Sequence, residues 1–209
     1  CPVCRRQVDE LADKYTDKIR REVEESRQIK ADLLGDAALL EQFSQVIEAC
    51  IDASRRGNRL FFAGNGGSAA DAQHLAAEFV NRYAFGRPGL PAMALTTDTS
   101  ILTSVANDYS YEEIFARQLE ANGVEGDVFI GISTSGNSRN ILSAMRRAGT
   151  MGITTIGLTG RDGGQLRACC DYCIRVPSDS TPRVQEVHIL LGHILCGMVE
   201  HALFADKDQ

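Results

Sequence analysis

Val128-Phe129-Ile130-Gly131-Ile132-Ser133-Thr134-Ser135-Gly136-Asn137-Ser138 joins a short apolar run to a cluster of hydroxyls around one glycine, and a helical pattern follows over 140–148. An apolar run without alternation suits a strand whose two faces are both covered, as in a parallel sheet. Four more runs share that texture, at 60–63, 92–95, 154–158 and 172–176. Helical patterns separate them, and Gly/Ser/Thr/Asp clusters follow most of them. Strands alternating with helices predict a doubly wound, five-stranded parallel α/β sheet whose ligands bind beyond the carboxyl ends of the strands.

Upstream of the first strand the texture differs. From 8 to 34 the chain is charged and nearly free of glycine, with Leu11, Tyr15, Ile19, Val23, Ile29 and Leu33 at roughly helical spacing. A second amphipathic stretch covers 37–56. These two helices are expected either to cover the core or to pair with another subunit. A long final helix is expected over 183–203. With no linker, repeat or low-complexity tract, residues 1–209 read as one domain: helices over 1–56 and an α/β core over 57–209.

The net charge of −6 argues against a general nucleic-acid binder, which needs a basic surface. No apolar run looks long enough to cross a bilayer and no signal-peptide pattern stands at the start, so a soluble, cytoplasmic protein is expected. Seven cysteines suit a reducing compartment better than a disulfide framework. Cys1 and Cys4, and the cluster Cys169, Cys170 and Cys173, have thiolates that a structural zinc would accept, but free thiols are the simpler reading.

Two loops suit phosphate. Gly64-Asn65-Gly66-Gly67-Ser68 leads into a helix expected over 69–83, where glycines allow close approach and free N–H groups face an anion. Ser68 stands where a helix cap belongs. The loop fits neither the dinucleotide fingerprint nor the Walker motif. Ser133, Thr134, Ser135 and Ser138 supply neutral donors around a second helix start. An ordinary serine-rich turn would look similar.

Gly64 to Ser68 with Asp71, His74 and Glu78, followed by the 132–138 loop, resemble the sugar isomerase (SIS) domain. Gln185, Glu186, Val187, His188 and His193 narrow the resemblance to the phosphoheptose isomerase branch, over about 37–204. That branch implies an aldose–ketose isomerase acting on sedoheptulose 7-phosphate through an enediol, at the start of nucleotide-activated heptose synthesis. It implies Glu78 and His193 as the acid/base pair. The phosphate would lie on Ser68, Ser133, Thr134, Ser135 and Ser138, with Asn65, Gly66, Gly67, Arg82, Asp98 and Gln185 also lining the sugar site. It further implies one zinc per subunit on His74, Glu78, Gln185 and His193, no organic cofactor, and a homotetramer with active sites at subunit interfaces.

The residues themselves support part of this. His74 and Glu78 are four apart and share a helix face; Gln185 and His193 are eight apart, two turns along the last helix. Each has a plainer role available: a surface pair for His74 and Glu78, a solvated helix start for Gln185, a core histidine for His193, a helix cap for Asp98. His188 points elsewhere on its helix and His201 reads as solvated. Pro182 stands where many members of the branch carry an acid before the residue matching Arg183, so the ring-opening role of that acid would pass to another group, or the substrate would differ. Two other functions share the phosphate loops: a non-catalytic SIS scaffold that binds the bacterial replication initiator protein, and a sugar-phosphate-sensing domain.

Overall fold

The apolar runs become strands of one sheet in the computed structural model, which describes residues 2–205 with side chains from residue 15 onward. Cys1 and the side chains of Cys4 and Leu11 lie outside the described residues. The strands are β1 (Leu60–Gly64), β2 (Ala92–Ala94), β3 (Val128–Ile132), β4 (Thr154–Thr159) and β5 (Tyr172–Arg175), all parallel, in the order β2-β1-β3-β4-β5. Every residue of β1 and β3 is buried, as their unbroken apolarity requires.

Helices cover both faces: α1 (Pro2–Gly35), α2 (Ala37–Arg55), α3 (Gly67–Val80), α4 (Thr99–Asp108), α5 (Ala116–Asn122), α6 (Arg139–Thr150) and α7 (Thr181–Phe204). Side chains alternate along each strand, so two cores form. Phe62, Ile130, Ile156, Leu158 and Ile174 pack with residues of α1, α2, α3 and α7. Phe61, Phe129 and Ala63 pack with residues of α5 and α6. Each fully buried large side chain contributes about 1.5–3 kcal/mol. On α1, Ile29 and Leu33 join the core, whereas Tyr15, Ile19 and Val23 stay about 60% exposed.

α7 corrects one expectation. Its 24 residues, with a stretch of mean hydropathy 1.5, are long and apolar enough to cross a membrane by length and composition. The apolarity serves the core, because Val184, Val187, Leu191, Leu195 and Val199 are buried among the side chains of the sheet and α3.

The strand order reverses direction between β1 and β3, which is where a doubly wound sheet opens a crevice. Both candidate phosphate loops leave from those two strands. The loops after β3 and β4 meet backbone to backbone: Gly136 has φ +64, and a Cβ there would stand 2.1 Å from the Gly163 carbonyl oxygen. Ser68 is not the cap of α3. Gly66, at φ 57 and ψ −121, occupies that place, and Ser68 is buried in the first turn. The helix ends at Val80, three residues before its expected end.

Candidate active site

α3 and α7 leave the sheet side by side, and the residues along their seam meet in pairs. At the mouth Gln185 lies over Gly67, where a Cβ would stand 2.7 Å from the amide nitrogen, so a larger residue there would make the Gln185 side chain shift. Two turns further on, His74 and His193 come together with their Nε2 atoms 2.8 Å apart and their rings edge to face. One ring must donate and the other accept, so the pair shares a single bridging proton. Glu78 Oε1 lies 3.5 Å from His74 Nε2. A carboxylate and two imidazoles thus line up with His74 in the middle. The Tyr83 ring lies 5.9 Å from that of His193. Asp71, one turn before His74, is pushed up by burial, against the opposing pull of His74 and His193. His74 is exposed, while Glu78 and His193 are partly so.

A second polar cluster ties the same two elements together a few residues on. The Glu200 carboxylate accepts from the backbone N–H groups of Tyr83 (2.8 Å) and Ala84 (2.6 Å) and from Arg87 Nε (2.9 Å). Arg87 also donates to the Glu78 and Phe79 carbonyl oxygens at 2.8 and 2.7 Å, satisfying the end of α3. Burial pushes the Glu200 carboxyl up, but these donors more than offset it and hold it below the usual value.

At the crevice, Asn65 exchanges amide hydrogen bonds with Asn140 at 2.8 and 3.0 Å and accepts from the Tyr111 hydroxyl at 3.0 Å. This fixes the glycine loop to the start of α6. In the second loop the Ser133 and Ser138 hydroxyls lie 2.9 Å apart, while Thr134 and Ser135 line a cavity of about 170 Å³ with Gly160, Arg161 and Thr181. Ser138 is the N-cap residue of α6 without a side-chain capping bond. Ser68 and Ser133 are almost wholly buried.

The structure therefore brings His74, Glu78 and His193 together and leaves Gln185 two turns nearer the mouth, against Gly67. Asp98 caps α4, accepting from the Ile101 N–H at 2.9 Å. Arg82 is exposed, as is His201. His188 is fully buried, its Nε2 3.1 Å from the Thr159 carbonyl oxygen, and burial pushes its pKa down to about 4. Pro182 sits in the first turn of α7. Arg183 finds carboxylates without an acid there: Glu186 at 2.7 Å and Glu22 of α1 at 3.6 Å. Sequence reasoning missed Tyr83, Tyr111, Asn140, Arg87 and Glu200. Only Asn140, just past the serine loop, carried a local signal.

Two imidazole nitrogens and a carboxylate oxygen are donors that zinc accepts at about 2.0–2.2 Å. Tetrahedral bonds of that length set donors about 3.4 Å apart, close to the 3.5 Å between Glu78 and His74 and wider than the 2.8 Å between the imidazoles. Among the described residues no three His, Cys, Asp or Glu side chains form a ready metal cage. The donor types fit zinc once the two rings part by a fraction of an ångström.

Residues 14–160 match the SIS domain family. The phosphoheptose isomerase of Aneurinibacillus thermoaerophilus is 56% identical over 191 residues, which cover 91% of this chain and 96% of that protein. The solved phosphoheptose isomerase of Neisseria gonorrhoeae superposes with a TM-score of 0.82 at 40% identity, covering 88% of this chain and 98% of its own. That of Francisella tularensis gives 0.84 at 38%, covering 88% and 97%. The glycine loop, the serine loop and α3 lie within residues 14–160, and the chain belongs to the SIS domain family, in its phosphoheptose isomerase branch.

Proposed function

We propose that this protein is an aldose–ketose isomerase that converts sedoheptulose 7-phosphate to D-glycero-D-manno-heptose 7-phosphate, the entry reaction to nucleotide-activated heptoses. The observation that carries the chemistry is the Glu78–His74–His193 line beside the two anion-suited loops. Isomerisation moves a proton between C1 and C2 through an enediol and needs a base, an acid and a group that steadies the oxyanion. Glu78 takes the proton from one carbon and His193 serves the oxygen, with His74 holding the tautomer of the pair. Ser68, Ser133, Thr134, Ser135 and Ser138 hold the phosphate with Gly66 and Gly67, while Asn65, Asp98, Gln185 and Arg82 orient the sugar.

Zinc, one per subunit, would be held by His74, Glu78 and His193, with the Gln185 amide as the fourth donor. Its chemistry there would be to polarise the sugar's oxygens. No organic cofactor is needed. The whole chain acts as one domain, in the cytoplasm. A homotetramer completes the site: Val80, Tyr83, Ile194 and Met198 leave apolar surface exposed around the histidines, and Tyr15, Ile19 and Val23 do so along α1.

The scaffold and sensor readings are not favoured, since relatives at more than half identity over nearly the whole chain are named isomerases. The test is turnover of sedoheptulose 7-phosphate followed by NMR, with Glu78→Gln and His193→Ala beside the parent. Product from the parent and loss in both variants is expected. Activity surviving both changes would remove the acid/base assignment, and no turnover by folded protein, with and without added zinc, would return the scaffold reading.

A further inference from the structure

Where the chain enters its last strand, Cys169, Cys170 and Cys173 gather at the sheet edge away from the α3–α7 seam, and isomerisation uses none of them. Gly157 of β4 and Cys173 of β5 are register partners, so their side-chain positions adjoin on one face. Gly157 leaves its position empty, and Cys170 Sγ fills it: a Cβ there would stand 3.2 Å from that sulfur. The Cys170 thiol donates to the Leu166 carbonyl oxygen at 3.0 Å, and its sulfur occupies the space that Gly157 leaves beside Cys173. The Thr159 hydroxyl lies 3.8 Å from Cys173 Sγ on the other side. Cys169 turns away, donating to the Gln165 carbonyl at 3.3 Å. All three thiols are partly exposed.

We propose that Cys170 and Cys173 form a dithiol site that reacts with a low-molecular-weight disulfide and closes to an intramolecular disulfide. Cys170 and Cys173 are three residues apart and border the same empty Gly157 position, which puts the two side chains in the neighbourhood a disulfide requires. Cys173 is the attacking group. The neighbouring Cys170 thiol, the Thr159 hydroxyl and the nearby Arg175 and Arg167 lower its pKa against the opposing effect of burial, whereas Cys169 and Cys170 are pushed up. The Cys173 thiolate attacks one sulfur of the reagent; the reagent's S–S bond breaks, a mixed disulfide forms and one thiolate leaves. Capping removes the negative charge that held the Cys170 proton. Cys170 then loses that proton to water and attacks Cys173 Sγ, and the second thiolate departs. Two protein thiols are oxidised and one small disulfide is reduced to two thiols.

The folded protein, treated with oxidised glutathione near neutral pH, alkylated and digested, tests this through the peptide 168–175, which holds all three cysteines. The expected product is a Cys170–Cys173 disulfide with Cys169 free to alkylate. Cys170→Ser should stop at a stable glutathione adduct on Cys173, and Cys173→Ser should react at least about tenfold more slowly in this peptide. Circular dichroism confirms that each variant folds. A glutathione adduct that persists on the parent protein, a Cys169–Cys170 disulfide, or no reaction in this peptide would each overturn the proposal. None of these outcomes depends on sugar-phosphate turnover.

Discussion

The two polar clusters that join the α3 end of the chain to α7 use similar residues for opposite ends. Around Glu200 every oxygen has a donor, Arg87 and Glu200 are both about 2% exposed or less, and no position is left for another molecule. Around His193 the partners are a second imidazole and a carboxylate 3.5 Å beyond it, with His74 open to solvent. The first arrangement is closed and holds the fold. The second is open, with one imidazole facing solvent, and the proposed proton transfer needs a group that a substrate can reach. Burial and donor count, rather than residue type, separate the anchor from the active group.

The largest effect should fall on the open cluster. Glu78→Gln or His193→Ala should each lower turnover about 10²–10⁴-fold while leaving the urea midpoint near that of the parent. A matching loss of stability would dissolve the distinction between the clusters. Next comes the closed one: Arg87→Ala leaves a buried carboxylate without its cation and should cost about 3–5 kcal/mol in urea unfolding. A cost below about 1 kcal/mol would show that Glu200 is held by its backbone donors alone.

The third effect is in the pH dependence, and the two buried groups have separate windows. His188 is held neutral with its pKa lowered from 6.5 to about 4. The unfolded chain therefore binds the extra proton first, so stability is full above about pH 6.5 and falls progressively toward pH 4, by about 3 kcal/mol. Glu200, also lowered, contributes above its ordinary value of 4.5 and is lost only as pH falls further, through its folded value. His188→Leu should flatten the first slope and leave the second, as urea titrations across pH would show. Smallest is Asp98→Ala, which removes the cap of α4 and should cost about 1 kcal/mol. If Asp98 also touches the sugar, Asp98→Asn should keep the cap yet raise KM.

The sheet was legible because β1 and β3 are apolar at every position, a pattern only a doubly covered strand tolerates. The His74/Glu78 pairing was legible from i,i+4 spacing on a recognisable helix. Gln185 with His193 was not: eight residues put them about 12 Å apart along the axis, and which facing residue each meets depends on how α3 packs against α7. Ser68 misled because hydroxyls favour caps, whereas the positive φ that glycine readily accepts at Gly66 set the start two residues earlier. Tyr111 on Asn65 and Arg87 on Glu200 are joined across 46 and 113 residues of chain, and no local pattern reports such contacts.

Arg87 grips the carbonyl oxygen of Glu78 itself. The backbone beneath the proposed base is therefore fastened to the most deeply satisfied part of the molecule, and it cannot swing toward a sugar. In the proposed role, Glu78 would reach a substrate by side-chain rotation, and any closing of the protein over the ligand would belong to the loops at the crevice. In amide hydrogen exchange, the last turn of α3 should then be among the final segments to give up their protons, opening only when the whole chain does.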